Sequence, residues 1–286
     1  MAESLIDEWI ARLDQVGYVA DTQVAAALHL AVSLDRPLLV EGPAGVGKTL
    51  LAQSLATSCG RPLVRLQCYE GLDSTKALYD WNYPKQLLAA RAAAHTEFDT
   101  HSVYTWEFLL ERPLLQALRM DPAPVLLIDE VERADEEFEA MLLEILGEFQ
   151  VSIPELGTVE ALAHPWVILT SNRSRDLSDA LRRRCLYLWL DYPSVDREMA
   201  ILQRAVPDLE SSLAQQIVAA IRELRGWNLL KPPGVSESID WARTLSQLAA
   251  GPLTDETLNW TLGCVVKTRE DLSTVERNGL ALLWRR

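Results

Sequence analysis

Three groups of residues in this sequence have types and spacings that suit phosphate chemistry. The first spans Gly42–Thr49 and fits the pattern G-x-x-x-x-G-K-[ST]. Its glycines let the backbone curl, so that successive N–H groups point at phosphate oxygens. Lys48 would bridge the β- and γ-phosphates of ATP, and the Thr49 hydroxyl would hold Mg²⁺. The predicted ATP-binding residues are Gly42, Pro43, Ala44, Gly45, Val46, Gly47, Lys48, Thr49 and Leu50.

The second group is the acidic pair Asp129 and Glu130, which directly follows the apolar run Val125–Ile128. Ligands of open α/β sheets bind outside the carboxyl ends of the strands, where this pair is expected. Asp129 would hold Mg²⁺ directly or through water, and Glu130 would orient or deprotonate the attacking water. An acidic pair that merely caps a helix is the alternative, and the upstream phosphate loop favours hydrolysis of ATP.

The third group is the polar end of the run Trp166–Thr170, where Ser171 and Asn172 follow. If this strand neighbours the other two, Asn172 could form a hydrogen bond with the lytic water or with the phosphate. Without that neighbourhood, an asparagine after a strand is usually a turn residue. The residues alone leave both interpretations open.

The elements that must position these groups alternate between strands and helices. Short continuous apolar runs of this kind are typical of buried parallel strands, and strands that alternate with helices predict a parallel sheet covered on both faces. The predicted fold is α/β, with a five-stranded parallel sheet between helices. The predicted strands are Pro37–Glu41, Leu63–Gln67 (the weakest), Val125–Asp129, Trp166–Thr170 and Cys185–Leu190, and the main helices are Thr49–Cys59, Trp106–Leu118 and Glu136–Phe149.

After Pro193 the strand patterns stop, and helical patterns separated by proline and glycine continue to the end. Two domains are therefore predicted: residues 1–192 form the nucleotide-binding α/β domain, and residues 193–286 form a small all-helical domain.

Composition argues against several classes of function. The net charge of −14 disfavours nonspecific binding to nucleic acid, although Arg182–Arg184 form a short basic run. The four cysteines are scattered without a CxxC pair and indicate reduced thiols. No apolar run approaches the ~20 residues that span a bilayer. These features predict a cytoplasmic protein without a membrane partner.

Longer strings extend the three groups and are more specific than the phosphate loop alone. Together they resemble the AAA+ ATPases, and within them the MoxR group and its CoxD-like members. The resemblance covers nearly the whole chain. Besides Gly42–Thr49 it is carried by Cys68–Asp73, Tyr79–Tyr83, Ile128–Phe138, Ile153–Gly157, Leu181–Leu186, Lys231–Gly234 and Asp240–Arg243.

The resemblance implies a homo-oligomeric ring, a hexamer by analogy, with ATP and Mg²⁺ bound at subunit interfaces. Asn172 then corresponds to the sensor-1 residue. Arg184 best matches the arginine that completes a neighbouring subunit's site in trans, with Arg183 as the fallback; a solvated basic surface is the alternative. Tyr18 would flank the adenine, by analogy only.

One position departs from the family pattern. Where a sensor-2 arginine often opens a helix of the second domain, this sequence reads Val235–Ile239 and has no arginine. The sequence therefore leaves open whether the state of the bound nucleotide controls the position of that domain. Two further segments are candidate interaction elements with core packing as the alternative: a hairpin over Phe149–Gly157 and an insertion over Tyr69–Ala94.

Three functions are compatible with these features. The leading hypothesis is an ATP-driven chaperone that works with a von Willebrand factor A domain protein and matures a client metalloenzyme. By resemblance the client would be a molybdenum hydroxylase of the carbon monoxide dehydrogenase type. The second is a nucleotide-gated scaffold with slow hydrolysis, and the third is a nucleic-acid motor, which the acidity of the chain disfavours.

Overall fold

The computed structural model describes residues 2–92, 103–248 and 252–283. Within these ranges the chain forms two compact units. The first comprises the residues up to Val16, Ala20–Glu41 and Thr49–Trp189. The second comprises Gly17–Val19, the phosphate loop Gly42–Lys48 and the residues from Leu190 onward.

The first unit is built on a five-stranded parallel sheet in the order β2-β5-β8-β1-β9. The fold prediction of a five-stranded parallel sheet between helices is confirmed. Because β5 and β8 pair with Ile128 opposite Leu169, the carboxyl ends of these two central strands lie side by side. The strands are β1 (Leu38–Glu41), β2 (Leu63–Gln67), β5 (Val125–Asp129), β8 (Trp166–Ser171) and β9 (Leu186–Trp189).

The central strands are buried on both faces, which explains their continuous apolar sequence. Every residue of β1 and of β5 is buried, including Glu41 and Asp129 at their carboxyl ends. By contrast, β2 lies at the edge of the sheet and alternates exposed and buried residues. This alternation accounts for its weaker pattern in the sequence.

Helices surround the sheet in the first unit. Helix α7 begins after Asp135, whose carboxylate accepts a hydrogen bond from the Phe138 N–H, and ends at Phe149 in a left-handed conformation. Its apolar residues pack in the same core as the sheet. The helices are α1 (Ala2–Gln15), α2 (Thr22–Ser33), α3 (Lys48–Ser58), α4 (Ser74–Ala77), α5 (Tyr83–Ala92), α6 (Pro113–Arg119), α7 (Glu136–Glu148) and α8 (Asp179–Arg184).

The predicted helix over Trp106–Leu118 is wrong. The structure has a short 3₁₀ helix at Trp106–Phe108, strand β4 at Leu109–Glu111 and only then helix α6. Pro113 is the physical reason, because proline lacks the N–H that a helix interior needs and is tolerated in the first turn. Strand β4 pairs antiparallel with β3 (Tyr79–Trp81). The sequence patterns did not indicate this two-stranded sheet.

The predicted hairpin after α7 is confirmed as an element. Strands β6 (Gln150–Ile153) and β7 (Gly157–Glu160) pair antiparallel, and Val151 and Ile153 are buried. The candidate insertion Tyr69–Ala94 contains α4, β3 and α5, and its last two residues lie outside the described ranges.

From Val195 onward, the elements that the second unit forms in the described part of the chain are helices, and they enclose a core around the fully buried Trp241. The indole N–H of Trp241 donates a hydrogen bond to the Thr261 hydroxyl at 2.8 Å, so its polar atom is satisfied inside this core. The helices are α9 (Val195–Ala205), α10 (Ser211–Gly226), α11 (Val235–Gln247), α12 (Asp255–Thr261) and α13 (Arg269–Asn278).

A buried ion pair joins three of these helices. Arg225 of α10 donates to both carboxylate oxygens of Glu198 on α9, at 2.7 and 2.8 Å. The hydroxyl of Ser238 on α11 donates to the same carboxylate at 2.8 Å. The guanidinium also donates to the Pro233 carbonyl and lies over the Tyr192 ring. These contacts fix the three helices to one another.

Among the described helices, none has both the length and the apolar character needed to cross a membrane.

Candidate nucleotide site

The phosphate loop takes a conformation that depends on its glycines. Gly45 and Gly47 have φ values of 74° and 101°, a region that residues with a side chain rarely adopt. Gly42 has no room for a Cβ atom, because the Leu190 backbone lies against it. The loop therefore has the curled shape in which backbone amides can converge on an anion.

Lys48 lies at the start of α3 and is buried. Its ammonium group donates to the carbonyls of Gly42 and Pro43, both at 2.7 Å. A cation is thus held against the curled loop, where it adds to the positive potential of the helix N-terminus.

The loop also contacts α11 and Tyr18 within the second unit. The Gly45 carbonyl accepts hydrogen bonds from Val235 N–H at 2.9 Å and from Ser236 N–H at 3.2 Å. A Cβ atom at Gly47 would lie 3.9 Å from the ring of Tyr18, which is itself buried. Tyr18 therefore lies beside the loop. The start of α11 contacts the loop through the helix backbone. This is the place where the family pattern often has a sensor-2 arginine.

In the first unit, the Asp129 carboxylate accepts hydrogen bonds from hydroxyl groups on two neighbouring elements. The Thr49 hydroxyl lies 3.0 Å from Oδ1 of Asp129 and 3.2 Å from Oδ2. The Thr170 hydroxyl donates to Oδ1 at 2.5 Å from the adjacent strand β8. The structure thus brings together the two residues that the sequence predicted as metal ligands, and it adds Thr170 as a partner.

Glu130 has a left-handed backbone conformation, with φ of 56°. Strained conformations of residues other than glycine persist only where the surroundings hold them. Here the Glu130 N–H donates to the Thr170 hydroxyl at 2.9 Å. Oε2 of Glu130 accepts from Gln67 Nε2 at 3.1 Å and from Arg133 at 3.0 Å. Thr170 therefore orients both carboxylate residues, through the side chain of one and the backbone of the other.

Strand β2 contributes a cation next to the acidic pair. Arg65 donates to Oδ2 of Asp129 at 2.5 Å and to Oε1 of Gln67 at 2.6 Å. The Arg65 side chain is 46% exposed, whereas that of Asp129 is 4% exposed. The buried carboxylate is thus partly neutralised by an arginine at the surface.

Asn172 follows β8 at the carboxyl edge of the sheet, and its N–H donates to the buried Glu132 carboxylate at 2.9 Å. The strand arrangement that its predicted role required is present, because β8 lies between β5 and β1. Arg175 donates to the Glu132 carbonyl and to Glu139 of α7. These bonds hold the segment after Asn172 against the residues that follow Glu130.

The three adjacent arginines of α8 have different surroundings. Arg182 forms an ion pair with the buried Glu41 at 2.9 Å. Arg183 and Arg184 are exposed, and their backbone carbonyls accept hydrogen bonds from Arg36. The side chain of Arg184 lies against Gly147 of α7. Of the two candidates for a trans-acting arginine, only Arg184 has this contact.

Cys68 is buried directly beside the acidic pair, where its N–H donates to the Asp129 carbonyl. Burial, with the negative charges of Asp129, Glu132 and Glu130 adding to it, raises the pKa of the Cys68 thiol to about 12. At neutral pH the thiol is therefore protonated and a poor nucleophile.

The donor set suits Mg²⁺ and a nucleoside triphosphate. Mg²⁺ prefers oxygen ligands, and Thr49 with Asp129 supplies a hydroxyl and a carboxylate at the end of β5. When bound, the ion neutralises charge that develops on the phosphates. Sequence reasoning missed Arg65, Gln67, Thr170 and Glu132; the only signal for them was a polar residue near the carboxyl end of a predicted strand.

Comparison with known proteins agrees with this geometry. Residues 37–185, more than half of the chain, match the sequence profile of the AAA domain, dynein-related subfamily. The chain belongs to the AAA family. This is a family of P-loop ATPases.

Two curated relatives are similar to most of this chain. The gas vesicle ATPase GvpN of Haloferax mediterranei is 26% identical over 215 residues, which cover 72% of this AAA chain and 61% of GvpN. The protein NorQ of Paracoccus denitrificans is 24% identical over 226 residues, which cover 76% of each chain. Both relatives are AAA+ ATPases of the MoxR type. The chain spans less than two thirds of the length of GvpN.

Among solved structures, a mutant of RuvB from Thermotoga maritima superposes with a TM-score of 0.50 at 20% identity. The superposition covers 84% of this AAA chain and 67% of RuvB. This likeness shows a shared fold.

Proposed function

We propose that this chain is a MoxR-type AAA+ ATPase that assembles into a homo-oligomeric ring and uses Mg·ATP to remodel a client protein. The observation that carries the proposal is the grouping at the end of β5. There the hydroxyl of Thr49 lies 3.0 Å from Asp129, and Glu130 follows in a constrained backbone conformation. AAA+ ATPases are usually rings, and MoxR-type members associate with partner proteins.

In this proposal Gly42–Thr49 bind the phosphates, with Lys48 as the cation and Tyr18 beside the adenine. Thr49 and Asp129 hold Mg²⁺, Glu130 accepts a proton from the attacking water, and Asn172 orients that water. Arg184 of a neighbouring subunit stabilises the charge that develops on the transferred phosphoryl group.

Ring assembly is the first experiment. We expect multi-angle light scattering to give a mass of several protomers with Mg·ATPγS and a smaller mass without nucleotide. The Lys48→Ala variant should remain small under both conditions, because it lacks the cation held against the phosphate loop. A wild-type mass of one protomer with saturating nucleotide would contradict a ring.

Arg65 gives a prediction about the metal. Because Arg65 neutralises Asp129, its replacement by methionine should lower the Mg²⁺ concentration that half-saturates fluorescent ATP binding. The pair is partly exposed and worth at most ~1 kcal/mol, so the shift should not exceed about fivefold. Arg61→Met is the matched control, since Arg61 donates to the Ala123 carbonyl and lies over the ring of Trp166. An unchanged or higher requirement in Arg65→Met would contradict this account of Arg65.

We further propose, from the CoxD-like resemblance, that the client is a molybdenum hydroxylase of the carbon monoxide dehydrogenase type and that the partner carries a von Willebrand factor A domain. The test is to co-express a hydroxylase of this class with the wild-type chain or with Glu130→Gln. Elemental analysis of the purified hydroxylase should show a lower metal content with the variant. Equal metal contents in the two preparations would exclude this client, and the proposal that the chain is an ATPase would still stand.

A nucleotide-gated scaffold is the second candidate, and the start of α11 favours it. In that helix the backbone N–H groups of Val235 and Ser236 bind the phosphate loop at Gly45, and no arginine occupies residues 235–239. A scaffold should keep its biological activity when Glu130 is replaced by glutamine, whereas a remodelling ATPase should lose it.

A further inference from the structure

Helix α7 carries a glycine that its backbone conformation does not require. Gly147 lies within α7, and it is not among the glycines with positive φ. The helix ends at Glu148, and the following residue Phe149 takes the left-handed conformation that glycine usually supplies. Because glycine is among the least favourable residues in a helix interior, its presence here needs another reason.

The side chain of Arg184 supplies that reason. A Cβ atom built on Gly147 would clash with Nη1 of Arg184 and would lie 2.9 Å from Cζ and 3.3 Å from Nη2. The guanidinium therefore occupies the space that any larger residue would take. The C-terminal end of a helix carries partial negative charge, which favours a cation at this place.

The backbone of Arg184 is held independently of this contact. At one end of α8, Ser178 N–H donates to Glu139 of α7 at 2.9 Å. At the other end, Arg36 donates to the carbonyls of Arg183 and Arg184 at 2.8 and 3.3 Å. The Arg184 side chain is exposed, and its guanidinium lies against the Cβ position of Gly147. A side chain at residue 147 would therefore displace the guanidinium without disturbing the backbone bonds of α8.

We propose that Gly147 is a positioning residue for ATP hydrolysis: its missing side chain lets the Arg184 guanidinium lie against α7, in the orientation from which it reaches the site of a neighbouring subunit. This inference rests on the proposed trans role of Arg184. Gly147 lies near the C-terminal end of α7, the helix that begins six residues after Glu130.

The test compares steady-state ATP hydrolysis by full-length Gly147→Ala, Arg184→Ala and the double variant. Misplacing a reacting group by about 1 Å can cost ~10²-fold, so Gly147→Ala should lower kcat by about that factor. Its KM for ATP should not rise and its melting temperature should not fall, because only the far end of the flexible Arg184 side chain must move. In the Arg184→Ala background the glycine replacement should have no further effect.

Gly226→Ala is the matched control, because Gly226 is also helical and nothing lies within 4 Å of its added Cβ. It should keep the wild-type kcat. If Arg184→Ala abolishes turnover but Gly147→Ala keeps the wild-type kcat, the inference is wrong and the proposed function stands. A further tenfold loss in the double variant would also overturn it. If Arg184→Ala retains full turnover, the trans role fails, and the inference fails with it.

Discussion

The Glu130→Gln variant is expected to turn over ATP about 10²–10⁴-fold more slowly than the wild type while it still binds nucleotide. Glutamine keeps the shape and the hydrogen-bonding capacity that Gln67 and Arg133 meet at this position, but it cannot accept a proton from water. The loss should therefore appear in kcat. Phosphate release and the equilibrium binding of a fluorescent ATP analogue measure the two properties separately.

The control for this prediction is Glu137→Gln, which removes one carboxylate from the exposed face of the first turn of α7. It should keep the wild-type kcat. If Glu130→Gln hydrolysed ATP at the wild-type rate, Glu130 would not be the base. If it failed to bind nucleotide, the variant would have damaged the site instead of the chemistry.

Replacing Arg225 with methionine should lower the free energy of unfolding of the helical unit by about 3–5 kcal/mol. The side chain of Glu198 is 0% exposed and that of Arg225 is 9% exposed, so the change leaves a buried carboxylate without its charged partner. Ser238 donates one hydrogen bond to this carboxylate and cannot neutralise it. Urea unfolding followed by tryptophan fluorescence measures the loss, since Trp241 lies in the same core.

Two comparisons separate this effect from a general effect of removing an arginine. Arg243→Met removes an exposed arginine 3.8 Å from Asp240 and should cost less than ~1 kcal/mol. The double variant Glu198→Met with Arg225→Met should recover much of the loss, because no unpaired charge remains. A double variant as unstable as Arg225→Met would show that packing, and not the unpaired carboxylate, causes the loss.

The layout of the sheet was predictable because burial leaves a direct trace in the sequence. Strands β1, β5 and β8 are buried on both faces, and their continuous apolar runs differ clearly from helical periodicity. The order of the strands was not predictable in this way, since it depends on contacts between distant segments. The β3–β4 pair was missed for a related reason, because strands of three residues are too short to show a pattern.

The candidate site was predictable where a motif fixes both residue type and spacing. Gly42–Thr49 could be named because a strand, a loop and a helix start follow one another in the chain. Asp129 and Glu130 could be named because they follow a buried apolar strand at its carboxyl end. Thr170 and Arg65 could not, because their importance comes from strands that are neighbours in space only. The contact between Gly147 and Arg184 likewise joins two helices and has no counterpart in local sequence.

The central claim, that this chain hydrolyses ATP as an assembled ring, is tested most directly by steady-state phosphate release across a range of protein concentrations, with the mass measured by light scattering in the same samples. If Arg184 of a neighbouring subunit completes the site, as proposed, the turnover per protomer should rise as particles of several protomers form. A turnover per protomer that is the same for single protomers and for assembled particles would contradict the claim.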